Sequence, residues 1–257
     1  MKDLLKKVYL AKIYFIKYKE MFWNELKNFS KNNWWVYLLL AVSLAIVYVT
    51  GKGNIIEIII LFLANFLGNL FLMIMQANYT ANNNKIGAIY HLSGNFIFTL
   101  ISIYGLIYFG KYQYIIWQIS YCIAAIKAFT FYNFKKDIRF FNEYSLGIFN
   151  IFLIIIFIFF GLNGLNIAGK EIFLNLGFES LTMALGFSLV TTGLVSTKDK
   201  FRYWANLFGI IFIIIGSGYG VFIGYLGNGI DGVSLGYLIL TLTMLVFYLK
   251  LLKNYLK

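Results

Sequence analysis

The sequence predicts an all-α polytopic membrane protein with eight transmembrane helices, and three observations lead to that prediction. Of its 257 residues, 61% are hydrophobic and only 12% are charged, whereas soluble domains carry about 25% charged residues. Apolar runs near the ~20 residues that cross a ~30 Å hydrocarbon core recur along the chain. These runs are continuous, unlike the alternating segments of a transmembrane β-barrel.

The N-terminal segment, residues 1–31, differs from the rest of the chain. It holds eight lysines, and its apolar residues recur at spacings of three and four. This pattern is typical of a basic amphipathic helix that lies on an anionic membrane leaflet; the alternative is a solvated tail. A first transmembrane helix is predicted within residues 32–53, over the apolar run 33–50.

Seven further apolar runs follow, each of a length suited to a transmembrane helix. Short joints rich in Asn, Gly or Lys separate them. To within about two to four residues at each end, the predicted spans lie at 54–77, 85–109, 112–133, 146–163, 172–196, 202–226 and 232–252.

The positive charges divide between the two sides of the predicted membrane. The formal net charge is +12, from 22 Lys and Arg against 10 Asp and Glu. If the termini and alternate joints share a side, that side carries 18 of the cations and the other carries three, with Lys127 inside the fourth span. The cations of the joint before the seventh span are Lys198, Lys200 and Arg202. Lys and Arg accumulate in cytoplasmic loops, so both termini are expected in the cytoplasm, and no nucleic-acid binding is inferred from the charge.

Spans two to four and spans six to eight share a layout that suggests an internal repeat. Glycine and tyrosine residues match between them at separations of 118, 117 and 116 positions. The matching pairs are Gly68 with Gly186, Gly110 with Gly227, and Tyr121 with Tyr237. The prediction is a three-helix unit over 54–133, repeated over 172–257, with a linker over 134–171 that holds span five. The alternative is chance similarity between apolar helices.

The linker has a topological consequence. A unit with an odd number of spans would be inverted in its second copy, and a single linker span restores its direction. The two units of this 3+1+3 core would then run parallel, related by an axis along the membrane normal, with a substrate site between them near the bilayer midplane. The helix within 32–53 is an addition to that core.

Polar side chains within the apolar spans are the candidates for that site, because such side chains face the interior of a helix bundle. Gln118 lies beside Trp117, and Tyr121 is one turn further on. A carboxamide between two aromatic rings could hydrogen-bond a ligand stacked on them. Trp204 and Asn206 repeat this combination in the second unit. The candidate substrate-binding residues are Gln118, Trp117, Tyr121, Trp204, Asn206, Asn95, His91 and Tyr90.

Each candidate also has a structural alternative. Polar residues in membrane helices commonly bond neighbouring helices, which contributes about 1 kcal/mol or less. His91 is the only histidine, and it is assigned to packing in preference to proton coupling. Glu179 and Lys127 lie near span ends, so their charged groups are expected to reach the membrane interface.

Motifs for catalysis or cofactor binding are absent from the sequence. It holds no phosphate-binding loop, zinc-protease helix or GxSxG nucleophile motif. One Cys and one His argue against a structural metal site. No catalytic residue, metal or cofactor is expected, and the chain is not expected to be an enzyme.

Three features together resemble the PnuC-type vitamin transporters, over roughly residues 54–252. The first is the W-Q-x-x-Y pattern formed by Trp117, Gln118 and Tyr121. The second is the order E-S-L…K-x-K-F-R-Y-W from Glu179 to Trp204. The third is the 3+1+3 duplication. The resemblance leaves the N-terminal segment and the first predicted span as additions.

The chain departs from the pattern of that family at three positions. Phe201 stands where the family has the first Trp of a W-x-x-W motif, and Phe208 stands where an Asn is expected. Asn84 stands near the place of a Trp in the first repeat. These changes bear on the substrate more than on the fold.

The resemblance implies a facilitator for a vitamin precursor that carries an aromatic ring, with nicotinamide riboside expected first and thiamine or riboflavin as alternatives. It implies downhill entry and trapping by a cytoplasmic kinase. The expected location is the bacterial cytoplasmic (inner) membrane. The expected partners are the lipid bilayer and a small-molecule substrate, and a homo-oligomer is an open alternative to a monomer. A sugar facilitator is a further alternative, because that class also suits a 3+1+3 build.

Overall fold

The computed structural model describes residues 2–49, 55–109, 112–136, 138, 145, 147–152, 155, 182, 185–186, 188–190, 192–193, 196, 199–227 and 232–255. Every regular element in those residues is an α-helix, so the predicted all-α class is confirmed. The helices are α1 (Lys2–Asn32), α2 (Trp34–Val49), α3 (Ile55–Thr80), α4 (Asn84–Phe109), α5 (Tyr112–Phe134), α6 (Asp199–Gly227) and α7 (Gly232–Tyr255). Described residues between 145 and 155 and between 182 and 193 are also helical.

Three of the described helical segments are long and apolar enough to cross a membrane. They are Ile55–Thr80, Asn84–Tyr104 and Lys200–Phe222. A fourth is added if Ile16–Asn32 and Trp34–Val49, which are bent by 87° at Asn33, form one broken span. Predicted spans five and six lie largely outside the described residues, as does Glu179. The count of eight spans therefore stays a prediction.

The turn between α3 and α4 follows from its asparagines. Asn82 has a φ of 60°, a left-handed conformation that Asn adopts more readily than most residues. The backbone N–H of Asn83 bonds the carbonyl of Asn78 at 2.8 Å, and that of Asn82 bonds the carbonyl of Tyr79 at 3.2 Å. This is the bond pattern of a Schellman cap. It ends α3 and reverses the chain directly into α4.

Contacts at both ends of the bundle place α4 antiparallel to α3 and to α5. Near the start of α3, Glu57 accepts a hydrogen bond from Tyr104 near the end of α4. At the opposite end, the amide of Asn133 in α5 donates to the carbonyl of Lys85 at 3.5 Å. Nζ of Lys250 in α7 lies 3.3 Å from Oδ1 of Asn33. We call this second end, where α1, α3, α5 and α7 finish, the basic end of the bundle.

The helices pack as two neighbouring groups. Helix α4 lies between α3 and α5, and α7 lies between α2 and α6. Helix α2 also contacts α3, which joins the groups. The sequence predicted α2 as an addition to the core, and in the structure its main neighbour is α7, near the opposite end of the chain.

Glycines mark the closest approaches between helices. A methyl group added to Gly236 of α7 would lie 2.7 Å from the carbonyl oxygen of Ser43 in α2. One added to Gly209 of α6 would lie 2.7 Å from the carbonyl oxygen of Gly186, and one added to Gly94 of α4 would lie 3.3 Å from that of Gly68. At Gly236 and Gly209 only glycine lets the two backbones come so close, and at Gly94 a methyl group would be tightly packed.

Helix α1 turns its apolar side to the bundle. The ring of Phe22 stacks on Tyr90 of α4 at 4.5 Å and contacts Phe71 of α3 edge-on at 5.3 Å. The amide of Asn78 donates to Glu25 at 2.9 Å. The predicted helix is present, and this part of its apolar side is covered by protein, because aromatic side chains of α3 and α4 offer it a matching surface. The neighbouring Trp23 is half exposed.

Candidate functional site

A network of buried polar side chains joins α4 to α5. Nε2 of Gln118 lies 3.0 Å from the carbonyl oxygen of Asn95, 3.1 Å from Oδ1 of Asn95 and 3.3 Å from Oγ1 of Thr99. Oγ1 of Thr99 lies 3.0 Å from Sγ of Cys122. The structure thus brings together two of the predicted site residues, Asn95 and Gln118, and both are buried.

The other two members of this network were not predicted from the sequence. Thr99 and Cys122 each lie one turn after a predicted residue, at the i+4 spacing that places side chains on one face of a helix. The hydroxyl of Thr99 also donates to the carbonyl of Asn95 at 2.8 Å, within its own helix. That spacing was the available signal for extending the cluster by one turn on each helix.

A second buried cluster draws on four helices. Nη2 of Arg202 in α6 donates to the hydroxyl of Tyr132 in α5 at 3.1 Å and to the carbonyl of Ser196 at 2.9 Å. The guanidinium carbon lies 5.4 Å from the centre of the ring of Tyr79 in α3, which is within range of a cation–π contact. The hydroxyl of Tyr79 lies 3.3 Å from Nδ1 of His91 in α4. This cluster connects the segments predicted as the two repeats.

The position of Arg202 corrects the grouping of this residue with the cations of the joint before the seventh span. Helix α6 begins at Asp199, so Arg202 belongs to its first turn, and only 3% of Arg202 is exposed. Lys200 stays exposed, and Lys198 lies outside the described residues. A cation that immediately precedes the apolar sequence YWANLFG was the available signal, because ionisable residues within membrane spans usually face the bundle interior.

Three other predicted site residues, Trp204, Asn206 and Tyr90, do not belong to the network around Gln118. Trp204 is 54% exposed and stacks on Phe208 at 5.9 Å, whereas Asn206 is buried. They diverge because residues two apart lie on different sides of a helix. Tyr90 is buried under α1, and its hydroxyl donates to the carbonyl of Phe22 at 2.6 Å.

The two remaining candidates lie on the same helix as Gln118. Tyr121 is partly buried in α5. The side chain of Trp117 lies outside the described part of the structure, although its backbone belongs to α5. The stacking of a ligand between these two rings therefore stays a prediction.

Several buried polar side-chain atoms have no hydrogen-bond partner within the described part of the chain, and two of them belong to predicted site residues. They are Nε2 of His91 and Oδ1 of Asn206. Leaving such a group unpaired costs about 1–3 kcal/mol. His91 precedes the crossing glycine Gly94 by three positions, and Asn206 precedes the crossing glycine Gly209 by three positions. The two residues are thus equivalently placed on α4 and α6.

The described residues contain no group of three or more His, Cys, Asp and Glu side chains that could hold a metal ion. Comparison of the chain with family models, curated proteins and solved structures gives no match. The class that the fold and the buried clusters define is therefore an all-helical protein with helices suited to a membrane and polar side chains in its interior.

Proposed function

We propose that the chain is a membrane transporter that binds a small polar solute between two related halves. The observation that carries the proposal is the equivalent placement of His91 and Asn206, each buried with an unpaired polar atom. A ligand with hydroxyl or amide groups would satisfy both atoms. Such a ligand would also reach the two repeats together, as expected of a site at a repeat interface.

The glycine contacts support the two related halves. Gly68 and Gly94 meet in the first half, and Gly186 and Gly209 meet in the second. Gly68 and Gly186 are 118 positions apart, and Gly94 and Gly209 are 115 positions apart; both values are close to the separations found for the other matching residues. In this proposal, eight spans form a 3+1+3 core with α2 added, and the basic end of the bundle faces the cytoplasm of a bacterium.

Nicotinamide riboside is the first candidate substrate, on the resemblance to PnuC-type transporters. Its ribose hydroxyls would bond His91 and Asn206, and its charged ring would stack on an aromatic side chain. Entry would be downhill, with phosphorylation in the cytoplasm trapping the product. Thiamine and riboflavin are the alternatives within the same class.

Calorimetric titration of the purified full chain with nicotinamide riboside, thiamine, riboflavin and glucose tests the proposal. His91→Phe and Asn206→Leu should each weaken binding of the preferred vitamin about tenfold, the equivalent of about 1.4 kcal/mol. His91→Phe also removes the contact between Nδ1 and the hydroxyl of Tyr79, so each variant is first checked for correct folding. Gln118→Ala tests the amide network, and Ile119→Ala, at an exposed neighbour, is its control.

The outcomes separate the candidate functions. Binding of one vitamin that depends on His91 and Asn206 supports the proposal. If only glucose binds, the proposed substrate is a sugar and not a vitamin. If none of the four compounds binds, the proposed substrate class is wrong.

A further inference from the structure

A cavity of about 410 Å³ lies at the basic end of the bundle. It is bordered by the turn between α3 and α4, by the end of α5 and by Met21 of α1. Lys85 and Lys135 line it, and none of the described residues that line it is acidic. A concave wall with charge of one sign concentrates ligands of the opposite sign, so this cavity favours an anion.

Tyr132 distinguishes the cavity from a patch of surface lysines. It lines the cavity, and its hydroxyl oxygen accepts the hydrogen bond from Arg202. A hydroxyl that accepts a hydrogen bond still has its own proton to donate. A bond accepted from a guanidinium polarises the hydroxyl and makes it a stronger donor. The buried charge of Arg202 therefore acts on a group at the cavity wall.

The end of α5 holds one of the two lysines at the cavity. Lys135 has a φ of 56°, in the left-handed region where a helix usually ends with Gly. Its backbone N–H bonds the carbonyl of Phe131 at 3.1 Å, which fixes this turn. Lys85 approaches from the start of α4, so the two ammonium groups come from different helices.

We propose that this cavity binds a phosphate group, carried either by an anionic lipid headgroup or by a soluble phosphate compound. Two ammonium groups, the hydroxyl of Tyr132 and the side-chain amides of Asn82 and Asn83 supply donors for several oxygens of one tetrahedral group. Basic cavities between membrane helices on the cytoplasmic side are typical binding sites of anionic headgroups. The site does not depend on the proposed transport.

The experiment measures thermal stability of the full chain in detergent during titration with two pairs of probes. Inorganic phosphate is compared with chloride at equal ionic strength, and dihexanoyl phosphatidylglycerol is compared with dihexanoyl phosphatidylcholine. The variants are Lys135→Gln and Lys85→Gln, either of which tests the site if the other does not fold. Lys136→Gln is the matched control, because Lys136 is exposed beside Lys135 and does not line the cavity.

We expect inorganic phosphate or phosphatidylglycerol to stabilise the wild-type chain more than its paired probe does. Each cavity variant should weaken that binding about tenfold, as expected for the loss of a charge-assisted hydrogen bond, and the control should leave it unchanged. Binding of phosphatidylglycerol alone identifies a lipid, and binding of inorganic phosphate identifies a soluble compound; both support the site. An absence of binding by both probes, or an equal loss in Lys136→Gln, would overturn it.

Discussion

The contact between α2 and α7 can be tested with a single methyl group. A methyl added at Gly236 would lie 2.7 Å from the carbonyl oxygen of Ser43 and 3.1 Å from the backbone nitrogen of Val47. Both atoms belong to the backbone of a helix, so no side-chain rotation can relieve the contact. Gly218 in α6 is a matched control, because the nearest atom to a methyl there is a side-chain carbon of Leu238 at 3.9 Å.

The magnitude follows from two opposing effects. Overpacking by one methyl group costs about 1–3 kcal/mol. Replacing Gly with Ala inside a helix gains up to about 1 kcal/mol. Gly236→Ala has both effects and Gly218→Ala has only the gain, so their free energies of unfolding should differ by about 1–3 kcal/mol, with Gly236→Ala the less stable.

Unfolding in mixed micelles with increasing sodium dodecyl sulfate, followed by circular dichroism, measures this difference. Size-exclusion chromatography after heating gives an independent ranking of the two variants. Equal unfolding free energies would refute the inferred crossing of α2 over α7 at Gly236, and with it the placement of the additional helix.

Three further substitutions test the packing of the same bundle. Unless another measurement is named, the free energy of unfolding is measured as for Gly236→Ala. Arg202→Met should lower stability by about 2–3 kcal/mol, since hydrogen bonds from a charged donor contribute about 1.5–3 kcal/mol. Lys200→Gln, at an exposed site, should change stability little. Equal effects of the two substitutions would contradict the burial of Arg202. Phe22→Ala should release α1 at a cost of about 3 kcal/mol, seen as faster trypsin cleavage within α1, and the same rate in Trp23→Ala would count against the docking of α1. Asn82→Val should cost roughly 1–2 kcal/mol in the left-handed turn, while Asn82→Gly should be nearly neutral; a tolerated Val would argue against that turn.

The helices themselves were predictable because their signal is local. Continuous apolar runs predicted 54–77, 85–109 and 202–226, and α3, α4 and α6 cover those runs. The asparagine-rich joint between the first two is a tight turn, as its composition indicated. Length, apolarity and turn residues are properties of short segments, so a single sequence contains them.

The partners of each helix face were not predictable in the same way. An apolar face is equally well covered by lipid or by protein, so the sequence of α1 could not show that Phe22 packs on Tyr90. Arg202 was counted with the neighbouring cations of a joint. Its burial depends on Tyr132, which is far away in the sequence, and on Ser196, which is not at a helical spacing from it. These contacts require the assembled bundle.

The structure also changes the ranking of the candidate substrate-binding residues. Gln118 was the leading residue, yet the two amide hydrogens on its Nε2 have three oxygen acceptors within 3.3 Å, all from Asn95 and Thr99. A substrate could use this amide nitrogen only by replacing one of those bonds, with little net gain. His91 was assigned to packing, yet its Nε2, like Oδ1 of Asn206, is buried with no partner among the described residues. A bond from substrate to either atom would add an interaction without breaking one. We therefore expect His91 and Asn206 to bind the substrate directly and Gln118 to hold α5 against α4.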